Sequence, residues 1–388
     1  MAEQRPTRLY FIDAMRAWAI LMMLQGHFID GLLDPVFRDP ANALYRGWLY
    51  FRGITAPVFF TVSGFIFTYL LVRNPRRGWD NPRVRKGIRR GLQLILIGYL
   101  LRLNVLGLFK GQIYGAFWLV DVLHCIGFSI LGVIAVYVLT IRKGPSLLLW
   151  ILLGLGVVLF LFEPIYKVAD YSYLPSALAN YLSKANGSVF TIIPWMGYAF
   201  LGGVLSLLFT RYGHVRNLYA WAIGISVALG CLLIFKSSAL FTWLHQISGV
   251  DLFQKIVDNN YLFIRLGDVF LVFAVFMLLR KWLTHGLLVE IGQNTLSIYV
   301  IHFIILYGSF TGFGLYRFFH HSLAPSAAIT GAMVFMFVCT WIALWYDRHE
   351  IQVKTLVNRS LLFLWNQLKN RWRNLFNRIL GIFGLARN

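Results

Sequence analysis

The sequence predicts an all-α membrane protein, a bundle of about ten transmembrane helices followed by an amphipathic helix. Of its 388 residues, 59% are hydrophobic and 13% are charged, whereas about a quarter of the residues in an ordinary soluble domain are charged. Apolar stretches close to the roughly 20 residues that cross a bilayer recur along the whole chain. The segments between them alternate between strongly and weakly basic, which is the pattern that membrane topology produces.

Ten apolar stretches qualify as spans, and together they predict one transmembrane domain over residues 1–350. They lie at residues 9–29, 53–72, 91–109, 118–139, 145–163, 189–209, 217–235, 261–279, 288–308 and 323–346. Residues 351–388 mix Leu, Ile, Phe and Trp with Lys and Arg at helical intervals. This composition predicts a basic amphipathic tail on the membrane surface, with a non-membrane partner for the tail as the alternative.

The formal net charge of +21 follows membrane topology and does not indicate nucleic-acid binding. Residues 73–90 contain eight Lys and Arg, and further basic residues occupy alternate loops and do not form one continuous face. The positive-inside rule therefore places both termini in the cytoplasm, and anionic lipid is the expected partner of the excess charge. With no organellar targeting signal and no cleavable signal peptide visible, we expect the inner membrane of a bacterium.

Polar residues inside the first span, LYFIDAMRAWAILMMLQGHF, are the first candidates for function. Arg16 and His27 are eleven residues apart, so they share one helix face about 16 Å apart along the axis, and Asp13 joins that face. A charged residue in a span is costly and is expected to face a protein interior or a cavity. Histidine, with an unperturbed pKa of about 6.5, suits general-base catalysis. We predict Asp13, Arg16 and His27 as catalytic; a purely positional ion pair and an interfacial histidine are the alternatives.

Motifs of common soluble enzymes are absent from the sequence. It contains no HExxH, no glycine-rich phosphate loop and no GxSxG. The three cysteines, Cys125, Cys231 and Cys339, predict neither a disulfide framework nor a metal site. No metal is therefore expected.

Several stretches together resemble the acyltransferase-3 family. FIDAMRAWAILMMLQGH resembles its opening signature, in which ten residues separate an arginine from a histidine. APVFFTVSGFIF (56–67) is similar to its second-span FFxxSGF element, and IGQNTLSIYVIHFIILYG (291–308) to its late span with a tyrosine and a histidine. DVLHCIGFSILG (121–132) and IIPWMGYAFLGGVL (192–205) are similar to the heparan-α-glucosaminide N-acetyltransferase branch. The resemblance covers residues 8 to 346.

The resemblance implies an acyl-CoA-dependent acyltransferase. Such an enzyme moves an acyl group, usually acetyl, from cytoplasmic acyl-CoA to a sugar or other hydrophilic acceptor, a glycan or a lipid-linked molecule, on the far side of the membrane. Acyl-CoA is then a co-substrate, and no permanently bound cofactor is expected. His27 is the candidate general base or, as the alternative, an acyl-carrying nucleophile.

The remaining polar residues in or beside the spans are predicted to bind acyl-CoA or the acceptor. The basic residues before the third span suit the CoA phosphates, although topology alone also explains their charge. Arg102 is expected at mid-membrane, lining a cavity or pairing with an acid such as Asp13. For the others, helix packing or interhelical hydrogen bonding is the alternative. The set comprises Arg85, Lys86, Arg89, Arg90, Arg102, Ser63, Asp121, His124, Asn294, Ser297, Tyr299 and His302.

Two other classes of function compete with an enzyme. A transporter of an anionic sugar or lipid is the runner-up, since Arg16 and Arg102 offer charge inside the membrane, but no internal inverted repeat is evident. A scaffold that presents the basic tail to a partner comes last. The sequence leaves open the acceptor, the choice of O- or N-acylation, the acyl length and the oligomeric state, a homo-oligomer included.

Overall fold

The computed structural model describes residues 8–382, and this part of the chain is a bundle of helices. Within it there is no β-strand, and the predicted helical membrane fold is confirmed. The α-helices of residues 8–382 are α1 (Tyr10–Leu32), α2 (Ala43–Val72), α3 (Pro82–Arg102), α4 (Val105–Phe109), α5 (Val122–Thr140), α6 (Pro145–Leu161), α7 (Glu163–Tyr166), α8 (Ser176–Leu182), α9 (Ile192–Arg211), α10 (Leu218–Ser248), α11 (Asp251–Asp258), α12 (Tyr261–Leu278), α13 (Gly286–Gln293), α14 (Thr295–Tyr307), α15 (Leu315–Phe319) and α16 (Pro325–Ile382).

The number of membrane spans differs from the prediction of about ten. Each predicted stretch overlaps a long helix or the bent pair α13 and α14. Among the described residues, however, only six helices, or seven with the bent pair, are long and apolar enough to cross a membrane. The shortfall has physical causes, because α1 carries Asp13, Arg16 and Asp30, α3 begins with a basic segment, and α6 has 17 residues. A count of ten is not confirmed.

Glycines allow the long helices to approach each other closely. A Cβ atom on Gly64 of α2 would overlap the carbonyl oxygen of Ala199 in α9, and one on Gly91 of α3 would lie 3.0 Å from the carbonyl oxygen of Gly127 in α5. Because lipid is as apolar as the side chains, the hydrophobic effect does not drive helices together inside a membrane. Small residues at the crossings allow close van der Waals contact, which stabilises the helix pairs instead.

The first helix is held on several sides by other helices. α1 packs against α2, α12, α13, α14 and α16, and most of its residues are buried. One face of α1 meets α14 along its length, so that Arg16 contacts Thr295 and His27 contacts Tyr307. The predicted common face of Arg16 and His27 is therefore present in the fold.

The bundle has two different ends. We call the end that holds Leu32, Arg102 and Tyr307, the last residues of α1, α3 and α14, the histidine end. There the connecting segments are joined by backbone hydrogen bonds, from Asp34 to Leu323 at 3.0 Å and from Val105 to Phe310 at 2.9 Å. The opposite end, the basic end, holds residues 73–90.

The last helix continues beyond the predicted boundary of the transmembrane domain. α16 departs from helical geometry at His349, with φ −112° and ψ 16°, and then extends to Ile382. Between residues 351 and 372, every described side chain except that of Val353 is exposed. Residues 383–388 of the predicted amphipathic tail lie outside the described part, and the division at residue 350 stays a prediction.

Candidate functional site

His27 lies in the last two turns of α1 and is oriented by a tyrosine of α14. Its Nδ1 atom is 3.0 Å from the hydroxyl oxygen of Tyr307. The proton of this hydrogen bond belongs to either partner, depending on the histidine tautomer. When Nδ1 carries the proton and donates to Tyr307, Nε2 has a free lone pair and can accept a proton. The side chain is half-buried, so the imidazole is held by protein and still reachable.

Two cavities at the histidine end meet at His27. Their volumes are about 560 Å³ and about 260 Å³, in the range of pockets that bind small molecules. His27, Val122, Val189 and Phe190 line both of them. The imidazole of His27 therefore borders two cavities.

The larger cavity combines aromatic rings with polar groups. Tyr114, Phe303 and Phe310 contribute rings, and Asn104 and Asp121 contribute hydrogen-bonding side chains. A wall of this kind suits a hydrophilic ligand with apolar faces.

Arg102, Asp121 and His124 form one buried network beside the larger cavity. The Nε atom of Arg102 lies 3.1 Å from a carboxylate oxygen of Asp121, whose other oxygen lies 3.1 Å from Nδ1 of His124. Asp121 also caps the amino end of α5, accepting from the backbone N–H of Leu123. The Nε2 atom of His124 is buried and has no partner within residues 8–382. The three predicted residues are thus brought together.

The expected surroundings of Arg102 need a correction. Arg102 is the last residue of α3 and lies at the histidine end, not at mid-membrane. It pairs with Asp121 and not with Asp13, because α3 and α1 run in the same direction and place these two side chains at opposite ends.

The smaller cavity is mostly apolar but carries charged groups at its wall. Arg52 of α2 forms an ion pair with Asp30 of α1, and both line the cavity. Lys184, from the segment between α8 and α9, also lines it, and burial lowers the pKa of this ammonium group. The cavity can therefore accept a ligand that has an apolar part and a negative charge.

Tyr299 and His302 of α14 lie close to His27. Tyr299 lines the larger cavity, and the His302 ring is 5.4 Å from that of His27 between centroids. Both ring nitrogens of His302 are buried and have no partner among the described residues. Two of the four predicted polar residues of this span thus belong to the histidine end.

Arg16 and Asp13 lie at the other end of α1. A guanidinium nitrogen of Arg16 donates to the Thr295 hydroxyl over 3.1 Å, whereas its distance to Asp13 is 3.9 Å. The shorter ion pair of Asp13 is with Arg8, at 2.8 Å. Arg16 is therefore about three helical turns from His27 and Asp13 about four, and neither of them contacts the atoms that His27 contacts.

A third cavity of about 490 Å³ lies at the basic end. Arg90 lines it together with Asn294 and Ser297, the other two predicted residues of the bent span. Arg85, Lys86 and Arg89 are exposed on α3 and do not line this cavity. Of the four basic residues predicted to hold phosphate, Arg90 alone lines this cavity.

Ser63 lies in a packed region of α2. The void beside it has a volume of about 10 Å³, which is at most the space of one water molecule. Its neighbour Gly64 is in contact with the backbone of α9 at Ala199. This geometry favours the packing interpretation of the SGF sequence over contact with a thioester.

The described residues hold no group of three His, Cys, Asp or Glu side chains placed to bind a metal ion. The cysteines Cys125, Cys231 and Cys339 are free thiols.

Several residues of the site escape prediction from the sequence. Tyr307, Asp30, Arg52 and Lys184 reach the cavities only because helices distant in sequence meet there; His27 and Tyr307 are 280 positions apart. The one signal in the sequence is that Tyr307 ends the same span as His302.

Comparison with known proteins agrees with the resemblance of the motifs. The family model described as an acyltransferase domain, that of the acyltransferase-3 family, matches residues 9–345. No curated protein matches the chain. The similarity to the heparan-α-glucosaminide branch stays a prediction. Since the match covers most of the chain, this protein belongs to the acyltransferase-3 family and is a membrane acyltransferase.

Proposed function

We propose that this acyltransferase moves an acyl group, acetyl in the first instance, from acyl-CoA bound at the basic end to a hydrophilic acceptor at the histidine end. His27 acts as the general base. The observation that carries the proposal is the position of His27, which faces two cavities while Tyr307 holds its Nδ1 atom.

The chemistry at His27 is a single acyl transfer. Nε2 removes the proton from an acceptor hydroxyl or amine, whose oxygen or nitrogen attacks the thioester carbonyl. The carbon–sulfur bond then breaks, and the CoA thiolate takes up the proton from the imidazolium. Tyr307 keeps the ring in place throughout, so that Nε2 stays directed at the reacting group.

The acceptor is a sugar or another polar molecule, free or linked to a lipid. The larger cavity supports this proposal because Tyr114 and Phe310 offer ring faces while Asn104 and Asp121 offer hydrogen bonds. Sugars have both kinds of surface. The apolar walls of the smaller cavity leave space for a lipid carrier or for the acyl group.

The donor is bound through its phosphates at the basic end. Arg90 supplies charge beside the third cavity, and Asn294 and Ser297 supply polar groups. Between this cavity and His27 the face between α1 and α14 contains the buried side chains Ile20, Leu24 and Ile298. The acyl arm of the donor therefore has to part these side chains to reach the imidazole.

The orientation in the membrane follows from charge. The eight Lys and Arg of residues 73–90 support an orientation in which the basic end and both termini face the cytoplasm, where acyl-CoA is made. The membrane is the inner membrane of a bacterium.

Sealed vesicles of known orientation test the proposal. Full-length protein is reconstituted, and labelled acetyl-CoA is supplied on one side with a polysaccharide or amino-sugar acceptor on the other. We expect labelled acceptor only when acetyl-CoA is on the side of the basic end. Transport of an anionic substrate without consumption of acetyl-CoA would overturn the proposal in favour of a transporter.

A further inference from the structure

A further cavity at the basic end is lined by none of the candidate site residues described above. It has a volume of about 660 Å³ and lies where the carboxyl ends of α2, α5 and α9 meet the amino end of α6. It shares no lining residue with the two cavities at His27 or with the cavity at Arg90. It is also larger than each of these.

Three arginines from two separate segments line this cavity, and no acidic residue lines it with them. They are Arg73 and Arg77, which follow α2, and Arg211, which ends α9; no Asp or Glu lines the cavity. Within residues 8–382 none of the three forms an ion pair with a carboxylate. Like charges without a counter-charge repel each other, and a bound anion removes that repulsion.

Topology explains why arginines are at this end but not why these three lie around one cavity. Arg76 belongs to the same loop and does not line it, and Arg216 lies five residues after Arg211 and is likewise outside. The convergence of Arg73, Arg77 and Arg211 is a property of the fold.

The inner part of the cavity is apolar. Leu148 and Leu149 of α6 and Leu207 of α9 form its walls. Two buried hydroxyl oxygens, those of Thr68 and Ser206, have no hydrogen-bond partner in the described chain. They lie one helical turn deeper in the bundle than the lining residues Val72 and Thr210. An occupant with a negative head and an apolar body fits this arrangement.

We propose that this cavity binds a phosphate ester, with the phosphate on Arg73, Arg77 and Arg211 and its apolar part against Leu148, Leu149 and Leu207. A guanidinium group binds two oxygens of a phosphate or of a carboxylate at once. Three guanidinium groups around one cavity match the larger number of oxygens and the higher charge of a phosphate better than those of a carboxylate or a chloride. The phosphate comes either from a soluble nucleotide-like ester or from an anionic phospholipid. The inference does not depend on the proposed acyl transfer.

Binding to purified full-length protein tests the proposal. The double variant Arg77→Gln with Arg211→Gln removes two of the three charges, and Arg76→Gln with Arg216→Gln removes the same net charge outside the cavity. One probe is ADP, titrated by calorimetry. The other is phosphatidylglycerol, compared with phosphatidylcholine by native mass spectrometry. Elution as a single folded species and the melting temperature control for folding.

We expect the cavity double variant to lose affinity for one probe by about tenfold or more, while the control double stays within about twofold. Loss of ADP binding identifies a soluble ester, and loss of phosphatidylglycerol identifies a lipid. If the double variant fails to fold, Arg77→Gln alone, at an exposed position, is expected to lose affinity by a few fold. The proposal is overturned if neither probe binds the native protein, or if the cavity variant binds both as the control does.

Discussion

The two ends of the bundle use their charges differently. At the histidine end the charged side chains form ion pairs, largely buried for Arg102 with Asp121 and partly exposed for Arg52 with Asp30. At the basic end most arginines, such as Arg77 and Arg89, are exposed and form no ion pair in the described chain. Buried pairs hold a geometry at a desolvation cost, whereas exposed charges attract ligands over a distance. Changes at the histidine end should therefore affect turnover and stability, and changes at the basic end should affect affinity.

The largest expected effect belongs to His27. His27→Ala should lower the acyl-transfer rate by about 100- to 10,000-fold, because it removes the general base. The yield and melting temperature of the folded protein should change little, since the side chain is only half-buried. The rate with saturating acetyl-CoA is the measurement. His320→Ala, an exposed histidine at the same end, is the control and should remain active. A variant that retains much of its rate without His27 would contradict the catalytic role.

Asp121→Asn should mainly destabilise the protein. The substitution removes the carboxylate that pairs with Arg102. Removing one partner of a buried ion pair lowers the free energy of unfolding by about 3 kcal/mol or more. Unfolding in a denaturing detergent measures the change. Asp170→Asn removes an exposed carboxylate and should have no effect. Adding Arg102→Gln to Asp121→Asn should restore part of the lost stability; no recovery would mean that the cap of α5 matters more than the ion pair.

Tyr307→Phe should lower the rate about fivefold with little loss of stability. It removes the hydrogen bond that orients His27, and the net contribution of such a bond is about 1 kcal/mol. Steady-state kinetics should show the loss in kcat. Tyr316→Phe is matched to it, because the Tyr316 ring packs 5.7 Å from that of Tyr307. Equal kinetics for the two variants would show that His27 is positioned by other contacts.

The smallest expected effect is that of Arg90 at the basic end, and its neighbour Arg89 is the control. Arg90→Gln should raise the KM for acetyl-CoA by a few fold without changing kcat, because a phosphate contact is equally strong in the ground and transition states. The difference should shrink at high salt, where screening weakens the contact. Arg89→Gln carries the same charge change one residue away, outside the cavity, and should leave KM unchanged. An equal rise in both variants would mean that only the overall charge of α3 matters.

The sequence alone determined the helical membrane class and the polar face of the first helix. These are local properties: apolar length decides whether a segment can span lipid, and the helical repeat decides that Arg16 and His27 share a face. The structure retains both, since Arg16 and His27 each contact α14. The number of spans was less well determined, because α1 carries polar residues inside the bundle and α3 begins with exposed basic residues, so that neither helix is apolar over its whole length.

Only the tertiary structure decided which polar residues work together. Four of the predicted residues come from one span, and the structure divides them: Asn294 and Ser297 line the cavity at the basic end, while Tyr299 and His302 lie at the histidine end near His27. The partners of Arg102 and His27 also come from helices far away in sequence. Helical periodicity specifies the face of a residue on its own helix, but the neighbour on that face depends on how every other helix packs. That packing is set by shape and by small-residue contacts summed over the whole bundle, which no single segment of the sequence contains.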